Sequence, residues 1–352
     1  MPPRFLPRLV NGPFDDPGLF IPFQFDRRAI LFDLGENGSL SPRDLLKISH
    51  AFVTHTHMDH FIGFDRLLRC CLGREKELSL FGPPGFIANV EGKLAGYTWD
   101  LVERFTAGFR LHITEVRPDG RLRQTYECRS RFRPEGQTRL PAAAGPLHDE
   151  AAFQVEAVLL EHSTPCLGFA LTERVGIHIL KTELDALGLA PGPWLSRFKA
   201  ALGAGADPHL AVDIPPAQGG GDRRFELGEL GRRVARITAG QKIAYVTDVS
   251  DTPANRAAII DLARGADLLF IEAVFLDAER EKAAAKHHLT ARQAGEIAAQ
   301  SGAKRYRLFH FSPRYEGRET EILAEARQAY IEMIDRPAAA EGPGRSPDPR
   351  VP

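Results

Sequence analysis

Thr54-His55-Thr56-His57-Met58-Asp59-His60 places three imidazoles and a carboxylate within six residues. The stretch leaves an apolar run, Ala51-Phe52-Val53, that reads as the end of a buried strand. It enters Phe61 to Arg69, whose apolar spacing reads as a helix. So many polar rings cannot relax into a core without partners, because each would lose its hydration uncompensated. Imidazole with carboxylate suits Zn²⁺, with Mn²⁺ or Fe as further occupants. By the period of two, His55 and His57 point one way as the chain leaves the strand. Asp59 and His60, at the start of the next helix, then face a second ion nearby.

Such a turn does not complete two metal sites, so more ligands are expected just past other apolar strands. His162 follows Val158-Leu159-Leu160-Glu161, Asp248 follows Ile243 to Thr247, and His310 follows Leu308-Phe309. Each is a polar side chain delivered at a strand's C-terminal edge, where α/β folds build their sites.

Outward from these residues, short β-rich runs recur at Ala29–Asp33, Leu78–Phe81, Phe153–Leu160, Gly168–Leu171, Lys242–Val246, Leu268–Ile271 and Tyr306–Phe309. Helices are expected mainly in the last third. Thr252-Pro253 opens one, Thr290 with Gln293 forms a capping box stopped at Gly302, and a last amphipathic helix spans about Glu319 to Ile334. Strands with interspersed helices predict sheets covered on their outer faces. One catalytic domain is expected over residues 1–335, with a Gly/Pro-rich arm inserted at about 186–232. A Pro/Ala/Gly-rich tail, 336–352, is expected to be disordered.

Composition narrows the class. The chain has 352 residues, 43% hydrophobic and 26% charged, as expected of a globular protein with a full core. No apolar run approaches the ~20 residues of a membrane helix, and the proline-bearing N-terminus lacks a signal-peptide core, so the cytoplasm is the expected location. Four cysteines, two of them adjacent (Cys70 and Cys71), read as reduced thiols. Net charge is −1, so any polyanion contact must use local patches. One such patch is Arg117, Arg121, Arg123, Arg129, Arg131, Arg133 and Arg139, with Tyr126 and Phe132 interleaved. It reads either as a track that stacks unpaired bases or as a twisted, solvated hairpin.

The set His55, His57, Asp59, His60, His162, Asp248 and His310 resembles the metallo-β-lactamase superfamily. That resemblance implies a four-layer αββα sandwich with a two-metal site, and histidine at position 57 resembles the zinc hydrolases. Four stretches narrow the likeness to the ribonuclease Z family of tRNA 3′ endonucleases. They are Glu161 to Phe169, Leu187-Gly-Leu-Ala-Pro-Gly-Pro-Trp194 in the arm, Ile271-Glu272-Ala-Val-Phe275 with His288-Leu-Thr290, and Phe309 to Tyr315. The chain departs from the family pattern at Val10–Leu19, where a Gly-rich loop is usual, and at Thr247-Asp248-Val249 in place of Gly-Asp-Thr.

By the resemblance, His55, His57 and His162 hold one Zn²⁺, Asp59, His60 and His310 the other, and Asp248 bridges them. Asp33 orients the site. The implied reaction is attack of a metal-bridging hydroxide on an RNA phosphodiester. Asp59, Glu272 and His288 are counted as catalytic, His288 protonating the departing oxygen, and Ser312 and Arg314 as substrate contacts. The implied partner is a tRNA precursor, no membrane is involved, and a homodimer is implied. The alternatives are a phosphodiesterase of small or cyclic nucleotides, or another hydrolase of the fold acting on an ester, lactone or sulfate.

Overall fold

A computed structural model describes residues 5–24, 26–141, 145–174, 176–214, 223–238 and 240–335. The expected 336–352 tail lies outside these residues. The first sheet has eight strands in sequence order: β1 (Arg8–Leu9), β2 (Leu19–Pro22), β3 (Ala29–Phe32), β4 (Ile48–Phe52), β5 (Lys76–Gly82), β6 (Phe109–Arg117), β7 (Gly120–Glu127) and β8 (Pro134–Pro141). β3 to β6 are parallel neighbours, and their outer face is covered by α1 (Pro42–Lys47), α3 (Phe64–Cys71) and α4 (Phe86–Ala95). The short α2 (Met58–Phe61) carries the end of the histidine turn.

The second sheet begins with β9 (His148–Asp149), β10 (Phe153–Glu161) and β11 (Pro165–Glu173). The chain then forms a separate small body. It comprises β12 (Gly176–Ile179), α5 (Lys181–Ala186), α6 (Trp194–Gly203), β13 (Ala211–Ile214), β14 (Arg223–Glu226), α7 (Leu227–Val234) and β15 (Ala235–Thr238). Leu184, Trp194, Phe198, Leu227 and Leu230 give it a core of its own. The sheet resumes with β16 (Lys242–Val246), β17 (Leu268–Glu272) and β18 (Tyr306–Phe309), in the order β18-β17-β16-β11-β10-β9. α8 (Pro253–Leu262), α9 (Arg280–Ala285), α10 (Ala291–Ser301) and α11 (Glu319–Ile334) supply its outer layer.

The two sheets face each other through Ile30, Phe32, Phe52 and Phe81 from one side and Val155, Phe169, Leu171, Tyr245, Phe270 and Phe309 from the other. Each such aliphatic or phenylalanine side chain removed from water contributes roughly 1.5–3 kcal/mol. Three apolar layers, two between sheet and helices and one between sheets, make the expected αββα sandwich. The capping box at Thr290 and Gln293 is formed, Gly302 ends that helix in a left-handed conformation, and α11 covers the expected residues.

One expectation needs correction, and one open alternative is decided. Helices are not concentrated in the last third, since α1, α3 and α4 cover the first sheet and α5 to α7 lie in the inserted body. Tyr126 and Phe132 are not a stacking platform. Tyr126 is fully buried and donates its hydroxyl to Glu91 (2.7 Å), and Phe132 packs against Trp99 and Phe109. The arginine patch is a β-meander whose cations are mostly engaged. Arg117 pairs with Glu115, Arg129 with Glu127, Arg131 with Glu103 and Arg139 with Asp119, while Arg121 donates to the carbonyls of Pro146 and Leu147.

Candidate metal centre

The polar residues expected at strand edges meet at one end of the sandwich because the strands that deliver them run the same way. β3 and β4 are parallel and release Asp33 and the 54–60 turn. β16, β17 and β18 are parallel and release Asp248, Glu272 and His310. β10, antiparallel to β11, which is itself antiparallel to β16, delivers His162 to the same edge. Asp33, Asp248 and His310 all turn out of their strands at left-handed φ (58°, 53° and 59°), a conformation that costs a non-glycine residue energy and is typical of functional sites.

Close backbone approach holds the turn in place. A Cβ on Gly63 would lie 2.1 Å from the Gly35 carbonyl, and one on Gly35 would lie 2.5 Å from the carbonyls of Asp59 and Pro17. Only glycine fits at either position. The departing loop at Val10–Leu19 is part of this support: Pro17 accepts from Gly35 N (3.2 Å) and Pro13 from Phe311 N (2.7 Å).

Ligand-capable atoms gather into overlapping sets. One is His55, His57 and His162; another is Asp59, His60 and His310. Asp248 joins His55 and His60 on one side and Glu272, His288 and His310 on the other. Asp248 Oδ2 lies 3.0 Å from His60 Nε2 and 3.6 Å from His310 Nδ1, and its Oδ1 lies 3.7 Å from His162 Nε2. Asp59 Oδ2 lies 3.3 Å from His60 Nε2 and 3.4 Å from His310 Nε2. Yet the buried atoms His55 Nε2, His60 Nε2 and His310 Nδ1 make no hydrogen bond. Orphaned imidazole nitrogens aimed at shared carboxylates are what a cation would satisfy, so these residues fit a metal pair.

Electrostatics agree. Burial opposes protonation of His310, but Asp248, Asp59 and Glu272 outweigh it and lift the ring to about 10. Burial likewise opposes charge on His60, and Asp248 and Asp33 raise it well above the ordinary imidazole value. Burial also works against ionised Asp248, yet His310 and His60 hold it well below the usual carboxylate range. His55, with burial dominant, is pushed down to about 2 and keeps a free lone pair. The pocket attracts positive charge, and its rings can act as neutral ligands once a metal replaces the protons.

Asp33 sits behind the ligands. Its Oδ2 lies 2.9 Å from His60 Nδ1 and accepts from Tyr245 Oη (2.9 Å), while Oδ1 accepts from Thr54 N (2.7 Å). That anchors the His60 ring with Nε2 forward. On this geometry Asp33→Asn is expected to weaken metal binding or turnover about 10–100-fold. Chelator competition on the folded variant checks this, and unchanged affinity and turnover would remove Asp33 from the account.

The chain also uses supports that sequence reading missed. Tyr245 has no local signal beyond its place in an apolar strand. The His287 carbonyl lies 2.9 Å from His162 Nδ1 and so orients that ring, with His287 itself at φ 60°. Glu272, by contrast, is one of the residues expected from the sequence, and it is fully buried. Its Oε2 lies 2.9 Å from His288 Nδ1, and its Oε1 accepts from Val249 N (3.1 Å) and Leu289 N (3.0 Å). Despite burial, His288 lowers Glu272 to about 2, and Glu272 raises His288 against its own burial.

His162 and His288 line a cleft of about 610 Å³ with Ser250, Thr252, Arg280 and His287. Ser312 and Arg314 lie on the turn after His310. There Arg314 pairs with Glu279 (2.6 Å) and covers the Phe275 ring.

A two-sheet αββα sandwich with this His/Asp/Glu edge defines the metallo-β-lactamase class of metal-dependent hydrolases. Residues 191–311 match the family model described as a beta-lactamase superfamily domain. The chain is 33% identical to a ribonuclease Z of Deinococcus radiodurans, over 85% of this chain and 87% of that one. It is 30% identical to a ribonuclease Z of Geobacillus kaustophilus, over 85% and 83%. The human short-form tRNase Z shares the fold, with a TM-score of 0.50 at 20% identity, covering 89% of this chain and 93% of that one. The chain belongs to the ribonuclease Z family.

Proposed function

We propose that the chain is a zinc-dependent endoribonuclease that removes 3′ trailers from tRNA precursors in the cytoplasm. Family membership makes it a metal-dependent endoribonuclease of tRNA 3′ processing. The observation that supports phosphodiester cleavage at this centre is the placement of the buried Glu272 and its partner His288 beside the candidate ligand cluster, with His288 at the wall of the cleft.

In this reading His55, His57 and His162 would hold one ion, Asp59, His60 and His310 a second, with Asp248 between them. Ions held there would supply Lewis-acid polarisation of the phosphodiester and lower the pKa of an attacking water. The protein's own part is orientation and proton transfer. Asp33 and the His287 carbonyl lock His60 and His162 with one ring nitrogen inward. Glu272 takes His288 Nδ1, so His288 Nε2 is the atom left to hold a proton for the departing oxygen. Arg280, Ser250 and Thr252 offer a cation and hydroxyls for the RNA backbone on the same wall.

Metal removal tests the zinc dependence. A chelator followed by gel filtration is expected to reduce trailer cleavage to background, and Zn²⁺ to restore it. Full activity in the stripped protein would contradict the reading, and restoration by Mn²⁺ but not Zn²⁺ would replace zinc with manganese.

A further inference from the structure

A second group of metal-ligating side chains lies apart from the centre. His50 stands on β4, five residues before His55, with its ring against Phe52 and Phe81 on the face that meets the second sheet. His148 stands on β9, the edge strand of that sheet, and Glu150 follows it. The His50 and His148 rings are 4.2 Å apart between centroids. Glu150 Oε1 lies 3.0 Å from His148 Nε2 and 3.9 Å from His50 Nε2, the latter too long for a hydrogen bond. One ligand atom from each of the three lies within 4.8 Å of the others. Around tetrahedral Zn²⁺, with metal–ligand distances of ~2.0–2.1 Å, neighbouring ligand atoms sit about 3.3–3.5 Å apart, so these separations need only small side-chain adjustment.

We propose that His50, His148 and Glu150 bind a divalent transition ion of the Zn²⁺ class, which clasps the first sheet to the edge of the second, separately from the catalytic centre. Two imidazoles and one carboxylate are ligands that such ions favour over Mg²⁺ or Ca²⁺. The ligands are oriented from behind. His50 Nδ1 lies 2.9 Å from Ser49 Oγ, which leaves Nε2 toward Glu150. Arg28 donates twice to Glu150 Oε2 (both 3.0 Å) and once to Oε1 (3.1 Å), fixing the carboxylate plane. An ion held by Glu150 Oε1 and His148 Nε2 would take the place of the hydrogen now between them, that proton leaving to solvent. Burial, reinforced by His148, pushes His50 down to about 3, so its lone pair is free at neutral pH. The side chains are only 12%, 19% and 25% exposed, enough shelter to hold an ion and enough opening to admit one.

The test is zinc stoichiometry of the full chain, by elemental analysis after equilibration with Zn²⁺ and a competing weak chelator. The wild type is compared with His148→Asn and His50→Gln. Each variant is expected to hold one equivalent fewer than the wild type, to keep its trailer-cleavage rate, and to lose the Zn²⁺-dependent rise in melting temperature that the wild type shows. Equal stoichiometry in the wild type and both variants would overturn the proposal. So would loss of an equivalent accompanied by loss of cleavage, because the ion would then belong to the catalytic centre. If one variant does not fold, the other carries the comparison. The wild-type count also decides alone: saturation without an equivalent beyond those of an Asp33-anchored centre would overturn the clasp.

Discussion

Replacing Asp248 with Ala is expected to abolish trailer cleavage while the protein stays folded. Asp248 approaches His60, His162, His288 and His310, so among the described residues it is the carboxylate common to both halves of the candidate ligand cluster. Removing it would take away the anion that, in the proposed centre, would make two neighbouring cations tolerable. The expected loss is about 4 kcal/mol or more of transition-state stabilisation, roughly a thousandfold in rate. Folding should tolerate the change, because Asp248 lies in a loop beyond β16 and the buried imidazoles around it can become neutral. Single-turnover cleavage with metal analysis and circular dichroism reads the three quantities together. A folded variant that keeps metal and cleaves within tenfold of the wild type would remove Asp248 from the centre.

The second large effect is expected at His288. His288→Ala should lower kcat by about 10²–10⁴, the usual range for a general acid or base, with metal content and KM for precursor tRNA little changed. Its partner explains why the ring matters. Glu272 is an anion in an apolar strand, held by two backbone N–H groups, and it fixes the His288 ring and raises its proton affinity. Glu272→Gln removes that charge while keeping the shape, so the proton affinity of His288 falls and the basic limb of the rate profile should move to lower pH, with a lower rate as well. A parallel loss of metal in His288→Ala would recast His288 as a ligand, a role its 3.6 Å approach to Asp248 permits on distance alone.

The centre was unusually legible in the sequence because its signals are local. Of the candidate ligands, His162, Asp248 and His310 follow their strands by one or two residues and the other four fill the single turn after β4, so strand pairing brings these positions to one place in space. Glu272 could be singled out for a related reason, as an acid inside an apolar run. Features set by partners distant in the chain were not legible. Tyr245 reaches Asp33 across 212 positions, and His50 meets His148 from the opposite sheet; no spacing rule links either pair. The arginine patch left two readings open, and the alternation of faces along β7 decides for the twisted hairpin. Along β7 one face carries Gln124 and Tyr126, both buried, while Arg123 on the other face is exposed. The short helices α1 and α2, of six and four residues, are too brief to leave a periodic pattern.

This centre is expected to act on a long RNA and not on a small diester. At one enzyme concentration with Zn²⁺ present, a tRNA precursor bearing a 3′ trailer is compared with 2′,3′- and 3′,5′-cyclic nucleotides and bis-p-nitrophenyl phosphate across a salt series. Cleavage at the trailer junction that falls steeply with rising salt is the predicted result, because contacts to successive phosphates release counterions. Turnover of the small diesters alone, indifferent to salt, would contradict the account.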